Sequence, residues 1–494
     1  MTAPASPLDP ARALAHVSAL WDDDILAQLS EYIAIPAKSP AFDPDWAAHG
    51  HLETVLRNAA RWIEARRIAG LHVEIARLPG RTPLLFFEVA ASGTAMPETV
   101  LMYGHMDKQP EFSGWRAGLG PWTPKYEEGR LYGRGGADDG YAVYAGIAAI
   151  QAIQAQGAAH PRIVGLIETG EESGSPDLLP YVEMLRARLG QVGLVICLDS
   201  GAGDYERLWL TPSLRGLAGG TLKVRVLTEG VHSGDASGLA PSSFRIMRQL
   251  LERLEDSQTG RLLPAGLHCE IPAERLAQAQ ATAGILGAAL YQHFPWAPSG
   301  HGGHVQPATT DPLQALLART WRPTLSVIGA EGFPPPQDAG NVLRPYTALQ
   351  LSLRLPPLVD AARAAHEVQA LLESHPPYQA QVTFEIGSAA NGWNAPPMPP
   401  WFADALDAAS TAHFGAPCGF IGQGGTIPLM NMLGASFPRA QMMVCGVLGP
   451  NSNAHGPNEF LHVPYAKKLT AAVAGVMAAW PLSEVSGLNS MLIT

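Results

Sequence analysis

The chain has 494 residues, 47% hydrophobic and only 16% charged, with a formal net charge of −11 at pH 7. That length exceeds one ordinary core, so two or three domains are expected. The acidic balance argues against nucleic acid and anionic membrane as partners. Cys197, Cys269, Cys418 and Cys445 form no CxxC pair, and three lie in apolar stretches. They are expected to be reduced, buried thiols of a cytoplasmic protein, not a disulfide framework or a sulfur-ligated zinc. The opening stretch MTAPASPLDPARALAHVSALWDDD has no basic region followed by an apolar core, so no signal peptide is expected. No run reaches about 18 uninterrupted apolar residues, so no transmembrane helix is predicted.

Residues 11–36 and 50–69 read as helices; Val55, Ala59, Trp62 and Ile63 recur at helical spacing before Gly70. Strand-like runs follow at 72–76, 83–89 and 99–103, then an Ala- and Ile-rich helix at 141–156. The short apolar runs 163–167 and 192–198 suit buried parallel strands. This alternation predicts a doubly wound α/β layer. After Gly216 the pattern changes. Strands are predicted at 222–226, 324–328, 349–355 and 381–386, with helices from Ser242 and over 359–374. The order β-α-β-β-α-β is the split βαβ, ferredoxin-like arrangement; residues 260–318 interrupt it without an assignable pattern. Helix and strand signals of the first kind resume at 401–413 and 442–447, around a Gly-rich turn GQGGTIP. The expected organisation is a catalytic domain in two parts, 1–215 and 390–494, with a smaller domain, 216–389, inserted between them.

Five segments place an imidazole or carboxylate just past a strand-like run: His105, Asp138, Glu171 with Glu172, Asp199, and His455. Open α/β sheets build their sites at the carboxyl ends of strands, and this mixture of donors suits zinc, with manganese or cobalt as alternatives. Asp107 can orient His105 through its second ring nitrogen. Each residue also has a plain reading: a structural His-x-Asp pair, a helix cap at Asp138-Asp139, an exposed acidic turn at Glu171-Glu172. As a set they predict two cations sharing Asp138, about 3.5–4 Å apart, with one free glutamate as general base.

The motifs YGHMDKQP, GRLYGRGGADDG, ETGEESGS, LDSG, GVHSGDASG and NAHGPNEF, in that order, resemble the dinuclear zinc peptidases of the carnosinase-like dipeptidase group. That broad family also includes aminoacylases, glutamate carboxypeptidase and succinyl-diaminopimelate desuccinylase. The resemblance runs from about residue 30 to 480 and implies a zinc-peptidase catalytic domain with a mixed sheet flanked by helices, plus an inserted ferredoxin-like lid. It implies His105 and Asp199 as ligands of one metal, Glu172 and His455 of the other, and Asp138 as the bridge, with a cis peptide to Asp139. It makes Glu171 the general base and Asp107 the partner of His105. The lid implies a homodimer in which His232 reaches the partner subunit's site to stabilise the oxyanion. Asn341 and Arg354 fall where lid residues contact substrate. Gly424, Gly425 and Thr426 offer backbone N–H groups and a hydroxyl to a substrate carboxylate.

The chain departs from the group at Gly422-Gln423, where Arg-Glu is usual and the Glu holds the substrate's free amine. A neutral Gln423 attracts an ammonium less. The Lys after the paired acids is absent too; Gly140 and Tyr141 stand there. The expected activity is therefore hydrolysis of a small peptide by a dipeptidase, with an N-acyl-amino-acid amidohydrolase as the alternative. An inactive binding protein on the same fold is a third reading. Loss of a ligand or of Glu171 would have favoured it, and neither is lost.

Overall fold

A computed structural model describes residues 7–92, 98–300, 302–425 and 428–488. The chain divides into two compact units, residues 1–211 with 395–421 and 432–494, and residues 212–394 with 422–431. Residues 422–431, which carry the Gly-rich turn, thus group with the inserted unit and not with the segments that flank them.

The first unit is built on a six-stranded mixed sheet in the order Leu71–Ala76, Leu84–Val89, Arg162–Glu168, Glu98–His105, Gln191–Cys197, Gln441–Val444. Glu98–His105 runs parallel to both of its neighbours, and Gln441–Val444 runs parallel to Gln191–Cys197. These central strands are almost wholly buried, as their unbroken Val, Ile and Leu runs require. Gly165 is needed there, because a Cβ would lie 2.0 Å from the Phe87 ring. Helices His51–Ala65, Tyr141–Gln154, Pro400–Phe414 and Val463–Leu488 join the same hydrophobic core. His51–Ala65 stops four residues short of the predicted end, and Tyr141–Gln154 two residues short. Because three parallel strands run the same way, His105, Glu168 with the turn after it, and Asp199 all arrive at one rim.

The second unit contains a four-stranded antiparallel sheet in the order Thr324–Glu331, Tyr346–Leu355, Gly216–Arg225, Gln381–Ala390. Helices Ser243–Leu254 and Ala361–Glu373 share its core. This is the split βαβ order. Ser242 caps the first helix through the N–H of Arg245, and its buried face is Ile246, Met247, Leu250 and Leu254. Leu251 sits only partly buried beside that face. The unassigned stretch 260–318 holds helices Ala273–Leu286, Ala289–Gln292 and the start of Pro312–Thr320. Among the described residues no cysteine is paired, and Cys197, Cys418 and Cys445 are buried while Cys269 is half-buried. No helix among them is long and apolar enough to cross a membrane.

Candidate active site

The rim of the first sheet brings seven of the predicted residues together: His105, Asp107, Asp138, Glu171, Glu172, Asp199 and His455. His105 Nε2 lies 3.6 Å from Asp138 Oδ1, 3.7 Å from Asp199 Oδ2 and 4.0 Å from Glu171 Oε2. On the other side of Asp138, His455 Nε2 lies 2.9 Å from Asp138 Oδ2 and 3.5 Å from Glu172 Oε2. Two donor groups result, His105–Asp138–Asp199 and Asp138–Glu172–His455, each with its ligand atoms within 4.8 Å of one another. Asp138 belongs to both. The peptide between Asp138 and Asp139 is cis. Glu171 stands beside the first group without belonging to either.

These residues fit a pair of divalent cations. His105 is buried and its Nε2 has no hydrogen-bond partner among the described residues. Its Nδ1 lies 3.2 Å from the Asp107 carbonyl oxygen and 3.4 Å from Asp107 Oδ1, which places the ring proton on Nδ1 and leaves Nε2 a free lone pair. Four carboxylates crowd this rim. Burial, then the charge of Asp199, pushes the Glu171 carboxyl well above the usual range. Burial, then Asp138, does the same to Glu172, and burial lifts Asp199 to about 6. Burial also opposes ionisation of Asp138, but the neighbouring imidazoles of His105 and His455 outweigh it and hold this carboxyl low. The bare cluster is short of positive charge, and buried carboxylates of this kind coordinate metals or pair.

Further contacts position the cluster, some of them from residues that the sequence did not single out. Asp107 does more than face His105: its two oxygens accept the backbone N–H groups of Glu171 at 3.2 Å and Glu172 at 3.0 Å. Gln109 Nε2 donates to Glu172 Oε2 at 2.6 Å. Glu168, one turn back, accepts from the Tyr103 and Ser175 hydroxyls at 2.7 and 2.8 Å, and burial lifts its carboxyl to about 7. Lys108 is fully buried and donates to the carbonyls of Tyr32, Ile33 and Ile35 at the C-terminus of helix Leu26–Ala34. Burial pushes that ammonium well below its ordinary range. Its stem leaves no room beside Gly135, where a Cβ would come within 2.7 Å and φ is +80°. Lys108 and Gln109 lie in the YGHMDKQP run and Glu168 opens ETGEESGS, but their contacts with helix Leu26–Ala34, Glu172 and Tyr103 join segments distant in the chain, which no local pattern records.

The remaining predicted residues that are described lie in the second unit. His232 pairs with Val342, the Ser233 N–H donates to the Asn341 carbonyl at 2.9 Å, and so His232 and Asn341 are neighbours there. The His232 Nδ1 accepts the Gly234 N–H at 3.1 Å. Arg354 is half-buried on the strand Tyr346–Leu355, opposite Leu217 and Thr324. Gln423 exchanges backbone hydrogen bonds with Ser213 and Arg215, and the Gly424 carbonyl accepts from the Arg215 side chain at 3.3 Å. Gly425 is exposed. Thr426 lies outside the described residues.

Comparison with known proteins places this geometry. Residues 101–479 match Peptidase family M20/M25/M40. The chain is 26% identical over 454 residues to the cysteinylglycine-S-conjugate dipeptidase of Corynebacterium striatum, covering 90% of this chain and 94% of the relative. It is 25% identical over 430 residues to the human Beta-Ala-His dipeptidase, covering 84% and 82%. Among solved structures, human carnosine dipeptidase 1 superposes with a TM-score of 0.72 at 22% identity over 96% of this chain and 99% of that one. The dipeptidase Dug1p of Saccharomyces cerevisiae gives 0.70 at 21% over 97% and 100%.

Proposed function

We propose that this chain, which belongs to Peptidase family M20/M25/M40, is a dipeptidase that works with two divalent cations, zinc by the chemistry of the donors. The carrying observation is the pair of donor groups that share Asp138, with Glu171 beside them and outside both. Mixed imidazole and carboxylate donors suit zinc. Cations bound there would supply Lewis acidity toward a water and the scissile carbonyl. His105, Asp199 and Asp138 would hold one; Glu172, His455 and Asp138 would hold the other.

The rest is work for the chain's own residues. Glu171 takes a proton from the attacking water and passes it to the leaving amine as the C–N bond breaks. Asp107 fixes the turn that aims Glu171 and Glu172 in different directions. The second unit acts as lid and dimerisation domain, and His232 donates to the oxygen on which charge develops in the partner subunit's site. Arg354 clamps the substrate carboxylate in bidentate fashion, and Asn341 and the turn Gln423–Thr426 complete the substrate contacts. A homodimer is supported by the edge strand Thr324–Glu331, whose outer side pairs with no other strand among the described residues and whose Val327 and Ile328 are 49% and 66% exposed.

Dipeptides are favoured because the matched relatives named above act on dipeptides by their printed names, over nearly their whole length. The uncharged Gln423 favours a second reading, hydrolysis of N-acyl amino acids. Activity of the metal-loaded protein on free dipeptides, abolished by a chelator, tests the first against the second.

A further inference from the structure

The two candidate cation positions are held in different ways. At one, His105 ends a strand and Asp199 follows another. At the other, His455 comes from a loop, with φ at +62° and its side chain 53% exposed. A buried ion pair ties that loop to the turn of Asp138. Arg134 Nη1 lies 2.5 Å from Glu459 Oε2, and neither side chain is more than 1% exposed. The far end of the same guanidinium donates to the carbonyls of His455 at 3.1 Å and Gly456 at 2.9 Å. Glu459 in turn accepts the Gly135 N–H on its carboxylate at 2.8 Å and the Gly133 N–H on its backbone oxygen at 3.0 Å. Gly135 immediately precedes the turn Gly136–Gly140 that carries Asp138. One guanidinium and one carboxylate therefore join the two segments whose donors, Asp138 and His455, meet at 2.9 Å.

We infer that Arg134 and Glu459 are positioning residues that set the affinity of the position formed by Asp138, Glu172 and His455, and leave that of His105, Asp138 and Asp199 nearly unchanged. The inference rests on the two-cation reading above. The fork of Arg134 is what the role needs: a planar guanidinium reaches a carboxylate and two carbonyls at once, whereas a lysine ammonium is a single point.

Zinc titration of the metal-free full chain against a chromophoric chelator, with metal content measured after dialysis, tests it without recourse to turnover. The parent protein should bind two ions in two steps; His455→Ala identifies one step and Asp199→Asn the other. Arg134→Lys keeps a positive charge against Glu459, so the chain should fold. It should weaken the His455 step by about 10–100-fold and spare the other, the size usual for residues that orient metal ligands. Glu459→Gln keeps an acceptor for Gly135 without the charge and should weaken the same step. Cobalt loading gives a second readout, a changed visible spectrum at one position only. Equal weakening of both steps, or no weakening in either variant, overturns the inference. A parent protein that binds fewer than two ions overturns the two-cation reading, and the inference with it.

Discussion

Asp107 accepts the backbone N–H of Glu172 on its side-chain Oδ2 at 3.0 Å. The other oxygen accepts the N–H of Glu171 at 3.2 Å, so one carboxylate at the end of one strand sets the turn that follows the next. Asp107→Asn turns one accepting oxygen into an NH2 group facing a donor. Its kcat/KM should fall by about 10–100-fold with the fold intact by circular dichroism. Unchanged kcat/KM would mean that the turn holds its shape without this contact.

Glu171 stands outside both donor groups, which separates proton transfer from metal binding. Glu171→Gln should keep the parent's metal content and lose turnover by about a hundredfold to ten-thousandfold. Metal analysis and kinetics on the same preparation check this; substantial turnover, or loss of an ion, would remove Glu171 from the role of base.

Glu168 predicts a pH effect on stability. Burial lifts its carboxyl from an ordinary 4.5 to about 7. Below the lower value it is protonated in folded and unfolded chains alike. Between the two, the folded chain keeps the proton and the unfolded chain releases it, so stability falls as pH rises through that window and levels off above it. Glu168→Gln cannot titrate. Between roughly pH 5 and 8 the metal-free parent should lose stability relative to this variant by roughly 3 kcal/mol. Parallel melting curves across that range would contradict the burial of a titrating Glu168.

The lid reading makes His232 act across a dimer. Inactive His232→Ala subunits mixed with inactive Glu171→Gln subunits should regain activity, because a mixed dimer holds one site with both residues intact. Subunit exchange is verified by mass tags; no recovery after proven exchange would count against His232 in trans.

The strand-end donors were legible because parallel strands buried on both faces read as continuous apolar runs, and a polar residue directly after such a run has one place to go. His105 and Asp199 are of that kind, and His455 entered only as part of the set. The second unit was legible from alternation, with Leu349, Leu351, Leu353 and Leu355 inward on one strand. Helix Ala273–Leu286 was not. It buries Ala279, Thr282 and Ala283 beside Arg275, and small residues give a helix little hydrophobic contrast between its faces. Arg134 and Glu459 were missed for another reason: they meet across 325 positions of chain, and no local pattern records such a contact. Residues 422–431 were expected with the catalytic segments around them because sequence adjacency does not reveal which core a turn joins.

The most direct test is hydrolysis of matched free and N-acetylated dipeptides by the zinc- or manganese-loaded protein, read by mass spectrometry with and without a chelator. A dipeptidase should cleave the free dipeptides and lose that activity to the chelator, with Gln423 a tolerated exchange for a charged residue. Cleavage of the N-acetylated members alone, or chelator-insensitive cleavage, would contradict it.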